Sequence, residues 1–329
     1  MTNDLAACQE SIVSSCPPDE PKVSVLMTTY NHEKYVAQAI DSILMQKTDF
    51  PYEVVIGEDC SPDGTREIVR KYQRERPDIV RTFLPEHNVG AHENFRQVSG
   101  RARGKYVAIL EGDDYWLSPE KLQVQADLLD GHPETAVCGH QVLIVEEGRA
   151  PIEDPDLQTG FYNLDELLRW NFIPTCTVMY RWSLFRGFPD WFAQLKMGDW
   201  PMHMLMARYG NIAFLRETMG AYRRHPQGVW SGKGEIYSLQ ARIELFQHVG
   251  EALDPKYEPI VRERLFTLHH WLALEYIAAG DLPAARGIFR QSLALPGALE
   301  HLRAKCSMAL QTCTPALYQS LRKLKRAFR

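Results

Sequence analysis

The stretch "KYVAILEGDDYW" (105–116) runs five mostly apolar residues straight into Glu111, Asp113 and Asp114. Three carboxylates within four positions repel one another and call for a compensating charge. Mg²⁺ and Mn²⁺ prefer oxygen ligands, and Mg²⁺ typically takes one or two carboxylates, substrate phosphates and water. The same tetrad also fits an Asp-rich turn capping a helix that begins near Ser118. Two more segments, "TTYN" (28–31) and "GED" (57–59), also place polar groups at the end of an apolar run. Neither GxGxxG nor GxxxxGK[ST] occurs, so bound phosphate must be held by something other than the usual glycine loops.

Composition narrows the class. With 329 residues and 45% hydrophobic content, the chain can build one large domain or two ordinary ones. Its 37 basic and 42 acidic side chains give a net charge of −5, too balanced for a dedicated nucleic-acid binder and not acidic enough for disorder. The seven cysteines are scattered and form no CxxC pair, which argues against a disulfide scaffold or structural zinc and points to a reducing cytoplasm. Residues 1–20 carry no Lys or Arg and no apolar block, so they are expected to be a loose extension and not a secretory signal. No run approaches the roughly 18 apolar residues of a membrane-spanning helix, so membrane contact is expected to be peripheral, at the inner face.

The elements that must position the acids follow from periodicity. Strands are expected at 22–30, 52–59, 79–85 and 105–110, alternating with helices at 31–46, 66–76 and 92–103. Asn31 is expected to cap the first of these helices. The helical "SPEKLQVQADLLDGHP" and the apolar "TAVCGHQVLIV" complete a doubly wound, mostly parallel sheet. In such sheets ligands sit beyond the carboxyl ends of the strands, where the three polar segments lie. Residues 235–329 look helical throughout, and 272–297 resemble a single helix, Gly-Asp turn, helix hairpin.

Four segments together, "PKVSVLMTTYNHEKYVAQAIDSILMQ", "YEVVIGEDCSPDGTREIV", "HNVGAHENF" and "GKYVAILEGDDYW", resemble the successive motifs of family 2 nucleotide-sugar glycosyltransferases. The resemblance covers roughly residues 21–230 and implies a GT-A type catalytic domain, expected over 21–234. It implies an inverting transfer from a nucleoside diphosphate sugar, by family frequency a UDP-sugar, to a glycan or lipid-linked acceptor hydroxyl, with Mn²⁺ or Mg²⁺ as cofactor. By position, Asp113 corresponds to the metal-ligating Asp and Asp114 to the acid that follows it. Glu111 stands where the family commonly has Asp, one methylene longer. Asp59 corresponds to the acid that meets the nucleobase, with Glu58 beside it, and Thr28, Tyr30 and Glu33 lie in the loop that lines the nucleotide pocket. Asp199, in "KMGDWPMHML", corresponds to the general base, and the same Asp before Pro201 also suits a helix N-cap. Arg223, Arg224 and His225, in "MGAYRRHPQGVWSG", are placed to meet the diphosphate, His225 also as a metal ligand; Trp230 would anchor the loop that follows.

The other histidines, including His132, His140 and the adjacent His269 and His270, are expected to be structural; Trp170, Trp182, Trp191 and Trp200 could stack on sugar faces but are expected to fill the core. The end of the chain, 317–329, is basic and amphipathic, suited either to an anionic membrane or to packing on the domain. Two other functions use the same features. A sugar nucleotidyltransferase would show a basic Gly-rich loop where "TTYNHEKY" stands, and a non-catalytic carbohydrate- or partner-binding protein would not need Asp59, Asp113, Asp114 and Asp199.

Overall fold

Near-continuous apolar strands can be buried on both faces only inside a parallel sheet with helices on either side. The computed structural model describes residues 20–153, 159–228 and 233–295, and builds that arrangement. Strands β1 (Val23–Thr29), β2 (Tyr52–Glu58), β3 (Val80–Phe83) and β4 (Tyr106–Ile109) alternate with helices α1 (Val36–Leu44), α2 (Thr65–Glu75) and α3 (Ala91–Ser99). The short β5 (Tyr115–Trp116), α4 (Lys121–Gly131) and the long β6 (Thr135–Glu146) follow. After β7 (Ile152–Glu153), β8 (Gly160–Tyr162) and α5 (Leu164–Arg169) come β9 (Met179–Arg181), α6 (Asp199–Ala207) and β10 (Asn211–Arg224).

The sheet order is β3-β2-β1-β4-β9-β6-β10-β5, with β7 on β6 and β8 on β10. Strands β3, β2, β1 and β4 are mutually parallel, as are β6 and β10; β9 lies antiparallel between β4 and β6, and β5 is antiparallel to β10. The expected doubly wound, mostly parallel sheet is therefore present, with antiparallel insertions after β4. The core between sheet and helices holds Val23, Val25, Met27, Val36, Ile40, Val54, Ile56 and Tyr106, all buried.

Two compact units divide the described residues: 20–193 with 198–225, and 194–197 with 226–295. The division falls after His225, ahead of the expected boundary at 234. The second unit consists of α7 (Gly234–Ala252), α8 (Glu258–Ala278) and α9 (Leu282–Ala294). The expected hairpin turn is formed by Gly280, at φ 81°, and Asp281, whose side chain caps α9 by accepting from Ala284 N–H. Residues 1–19, Trp230 and 317–329 lie outside the described residues.

Three capping expectations need correction. Asn31 does not cap α1; it takes the left-handed conformation at φ 58° and donates its N–H to Ser61 Oγ. Asparagine tolerates that region, and the turn it makes lets the His32 carbonyl receive the first helical N–H groups, from Tyr35 and Val36. No residue of "EGDD" caps α4, which begins at Lys121 behind Glu120. Asp199 is not an N-cap either: Gly198 holds that position and Asp199 is the first residue of α6.

Charge is buried at both ends of the strands, and the N-terminal edge is fully paired. Glu53, on β2, accepts from Ser24 Oγ at 2.7 Å, from Arg103 N–H and guanidinium, and from Arg81 at 2.9 Å. These donors outweigh burial and hold its carboxyl below the ordinary range. Lys121 is the opposite case. Its amine is fully buried, has no hydrogen-bond partner, and sits 3.9 Å from the centre of the Trp116 ring. Burial pushes it down to about 7. A folded-state value below the unfolded one makes the protein gain stability as pH rises from about 7 toward 10.5. Lys121→Met is expected to stabilise the protein by about 1–4 kcal/mol at pH 7 and to flatten that rise. Denaturant unfolding of both proteins from pH 7 to pH 10 measures it, and equal slopes would contradict it.

Candidate functional site

Parallel pairing of β1 with β2 and β4 brings "TTYN", "GED" and "EGDD" to one sheet edge. The pairing continues past β4, since Gly112 N–H donates to the Thr28 carbonyl at 3.0 Å. Residue 112 has no room for a side chain: a Cβ there would lie 2.4 Å from Thr29 Oγ1 and 2.9 Å from His32 Nδ1. Thr29 Oγ1 and His32 Nδ1 are themselves 3.2 Å apart, and His32 N–H donates to Thr65 Oγ1. His32 Nε2 is thereby set 3.6 Å from Asp113 Oδ2. The motif reading passed over His32 because its partner is remote in sequence and only the fold joins them.

Strand β10 returns to the same edge because it pairs with β5, with Ala221 opposite Tyr115 and Gly220 opposite Trp116. His225 follows directly, buried against the Tyr35 ring at 4.9 Å, with Nε2 3.0 Å from Asp113 Oδ2. Its Nδ1 is buried without a hydrogen-bond partner. Arg223 is a latch. Its N–H donates to Asp114 Oδ1 at 2.7 Å, its guanidinium donates to the Asp113 carbonyl and to Gln38 Oε1, and the rings of Tyr35 and Tyr115 flank it at 4.6 and 4.9 Å. That guanidinium is committed to shaping the acid loop, whereas Arg224 is exposed.

The acids do not share one electrostatic fate. Burial raises Glu111 well above the ordinary range, and the charges of Asp114, Asp113 and Asp199 add to it. Burial and Asp113 likewise raise Asp114, against the Arg223 N–H and the Cys176 thiol. Asp113 moves the other way: burial opposes ionisation, but the hydrogen bond from His225 and the nearby His32 carry it below the ordinary value. A divalent cation suits this donor set, an ionised carboxylate and an imidazole beside two acids that repel each other. Among the described residues no group of three or more His, Cys, Asp or Glu is arranged to hold a metal by itself. Asp113 and His225 would then supply part of a coordination shell that substrate oxygens and water complete.

At the end of β2 neighbouring acids face different ways. Asp59, buried, accepts from Val89 N–H at 2.7 Å and Gly90 N–H at 3.0 Å, and Asn88 Nδ2 donates to its carbonyl. It fixes the loop that leads into α3. Glu58 is also fully buried, with one carboxylate oxygen taken by Ser61 N–H and the other by Arg66. Glu33 is exposed and accepts from Gly64 N–H at 3.1 Å. Both carboxylate oxygens of Glu58 thus accept within the protein, as both of Asp59 do, and Glu33 serves the turn before α2. Thr28 is half-buried at the end of β1, and Tyr30 is exposed beside it. On α6, Asp199 Oδ2 accepts from Asn171 Nδ2 at 3.2 Å, and its charge reaches Glu111.

The profile of glycosyl transferase family 2 matches residues 24–188. An uncharacterised protein of Mycobacterium tuberculosis is 42% identical over 238 residues, covering 68% of this chain and 68% of that one. The chain belongs to glycosyl transferase family 2. Two solved structures resemble this family 2 chain in fold. S. aureus TarS 1–349 in complex with UDP-GlcNAc has a TM-score of 0.57 at 21% identity, over 82% of this chain and 92% of that one. The mannosyltransferase PcManGT of Pyrobaculum calidifontis, in complex with GDP-Man and Mn²⁺, has a TM-score of 0.57 at 19% identity, over 93% and 84%. The architecture is the GT-A glycosyltransferase fold. The family match contains Asp59 and the acid loop but ends before Asp199, Arg223 and His225. Gly112→Ala is expected to cost about 1–3 kcal/mol, because Thr29 and His32 would have to move. Denaturant unfolding would show the loss; a stability equal to wild type would mean the close approach is not real.

Proposed function

We propose that this family 2 enzyme transfers a sugar, with inversion, from a nucleoside diphosphate donor to an acceptor hydroxyl. The observation that carries this reading is Asp113, paired with His225 at the sheet edge; a carboxylate on α6, Asp199, whose charge acts on Glu111, supports it. Asp113 and His225 would hold Mn²⁺ or Mg²⁺. When bound, that cation neutralises charge on the departing diphosphate. Asp59 orders the loop 88–90 at the nucleobase end, with Thr28 and Tyr30 at the pocket wall. Arg224 is free to meet the diphosphate, and Arg223, with Asp114, keeps the acid loop in shape.

Asp199 takes the proton of the acceptor hydroxyl as its oxygen attacks the anomeric carbon. The bond from that carbon to the diphosphate oxygen breaks on the opposite face, which inverts the configuration. Uridine is the proposed nucleoside, supported by the UDP-GlcNAc bound to TarS, although PcManGT holds GDP-Man. A glycan or lipid-linked acceptor, in the synthesis of a cell-surface polysaccharide, is the proposed partner. Among the described residues no helix is long and apolar enough to cross a membrane, so a lipid-linked acceptor would be met from the membrane surface, with 317–329 as the proposed contact.

Calorimetric titration of UDP, GDP and dTDP, with and without Mn²⁺, is expected to select one nucleotide. Its binding should need both the metal and Asp113, and be lost in Asp113→Asn. Asp199→Asn is expected to keep that binding within about twofold while turnover falls by about 10²–10⁴-fold. Absence of nucleotide binding under every condition would remove the donor from this reading.

A further inference from the structure

Helix α6 carries Asp199 in its first turn, and the segment 171–173 braces that turn. Asn171 donates from Nδ2 to Asp199 Oδ2 at 3.2 Å, while its own Oδ1 accepts from Ile173 N–H at 3.3 Å. The second bond settles the amide orientation, because only the nitrogen end is then left to face the carboxylate. One turn further along α6, His203 Nε2 lies 3.0 Å from the Ile173 carbonyl and Nδ1 lies against the Tyr180 hydroxyl. A carbonyl can only accept, so Nε2 carries the proton; burial lowers the His203 pKa and favours the neutral ring, whose Nδ1 then accepts from the Tyr180 O–H. Between them Trp200 Nε1–H donates to the Leu167 carbonyl at 2.9 Å. The brace is itself anchored at the start of α5 by a capping box between Asn163 and Glu166.

These bonds tie three α6 side chains, Asp199, Trp200 and His203, to residues 167–173. Asp199 Oδ1 has no hydrogen bond among the described residues. We propose that Asn171 is the positioning residue of the base: it turns Oδ2 toward the brace and leaves Oδ1 for the acceptor hydroxyl. The proposal rests on the assignment of Asp199 as base. A hydrogen-bond donor on a carboxylate favours its charged form, so loss of Asn171 is expected to show in the titration of Asp199 as well as in its angle. Four other titratable groups lie around the start of α6. Glu111 faces it from the loop after β4, Tyr180 from β9 and His203 from its own helix, while His92 of α3 packs beside Gly198.

Aspartate labelled with ¹³C at the carboxyl, in the full-length protein, lets NMR follow Asp199, its resonance being the one missing from Asp199→Asn. In Asn171→Ala its midpoint is expected to rise by about one pH unit, and further in Asn171→Asp, where a like charge faces it. Release of nucleotide from UDP-glucose, UDP-N-acetylglucosamine or GDP-mannose, with Mn²⁺ and water as acceptor, is the kinetic probe. There kcat is expected to fall about tenfold with KM for the nucleotide sugar unchanged, and Asn171→Gln, which keeps an amide donor, should recover part of it. If Asn171→Ala does not fold, Asn171→Gln and Asn171→Asp carry the comparison. An unmoved Asp199 titration together with wild-type kcat overturns the positioning role while Asp199→Asn stays inactive. Full turnover in Asp199→Asn would instead remove the base assignment itself.

Discussion

Three carboxylates confined to the end of a buried strand are the constraint around which this protein is arranged. Glu111, Asp113 and Asp114 follow β4 directly, and burial alone would drive all of them toward the neutral form. The fold separates their states by geometry. His225 and His32 approach Asp113 and keep it ionised, while Asp114 is held by a backbone N–H and a thiol and stays raised. That separation depends on β10 coming back to the acid loop. It does so because two residues of β5, Tyr115 and Trp116, form a strand that β10 can pair with.

The opposite ends of the parallel strands treat charge differently, and the contrast is informative. Glu53 sits at the N-terminal edge with hydrogen bonds from Ser24, Arg81 and Arg103, a saturated cluster that leaves nothing for a ligand. Beyond β4, at the C-terminal edge, burial leaves Glu111 and Asp114 raised, and His225 Nδ1 is buried without a hydrogen-bond partner. Buried polar groups left short of partners raise the free energy of the empty protein and favour whatever supplies them. The saturated cluster at Glu53 and the raised acids beyond β4 thus lie at opposite ends of one parallel run.

Much of this was legible in the sequence because strand-then-polar patterns repeat. The alternation of apolar runs with helical periods gave β1 to β4 and α1 to α3 within a few residues, and the placement of Asp59, Asp113 and Asp114 followed from it. What resisted reading had local causes. Glu58 ends β2 and Asp59 lies just beyond it, and their partners, Arg66 for one and the loop 88–90 for the other, come from segments that spacing does not reveal. Asn31 looks like a cap because Asn favours both caps and left-handed turns, and the choice was made by Ser61 and the His32 carbonyl. His32, Tyr35, Gln38 and Asn171 have site roles created by contacts between remote segments, which no spacing encodes. Arg223 was assigned by its charge to the diphosphate, yet two tyrosine rings and two oxygens hold it on the acid loop.

The division of labour along the chain follows from the same geometry. The segment matched by the family profile supplies the strands, the loop 88–90 held by Asp59 and the acids, and these share one sheet edge because they belong to one parallel run. Asp199 and His225 come later, each delivered by an element that must be fixed against that edge from outside it. For His225 the fixing element is β10, paired along nearly its whole length to β6 and at its end to β5. For Asp199 it is α6, a helix of nine residues with no side-chain cap of its own. A helix that short has little intrinsic stability, so the direction of its first turn is set by what grips it. Asn171, Leu167 and Ile173 provide that grip, through neutral hydrogen bonds that add no charge beside the carboxylate. A cationic brace would hold the helix as well, but it would form a salt bridge with Asp199 and depress its basicity more; the proposed role as base is better served by an amide, which fixes the carboxylate's angle without adding charge.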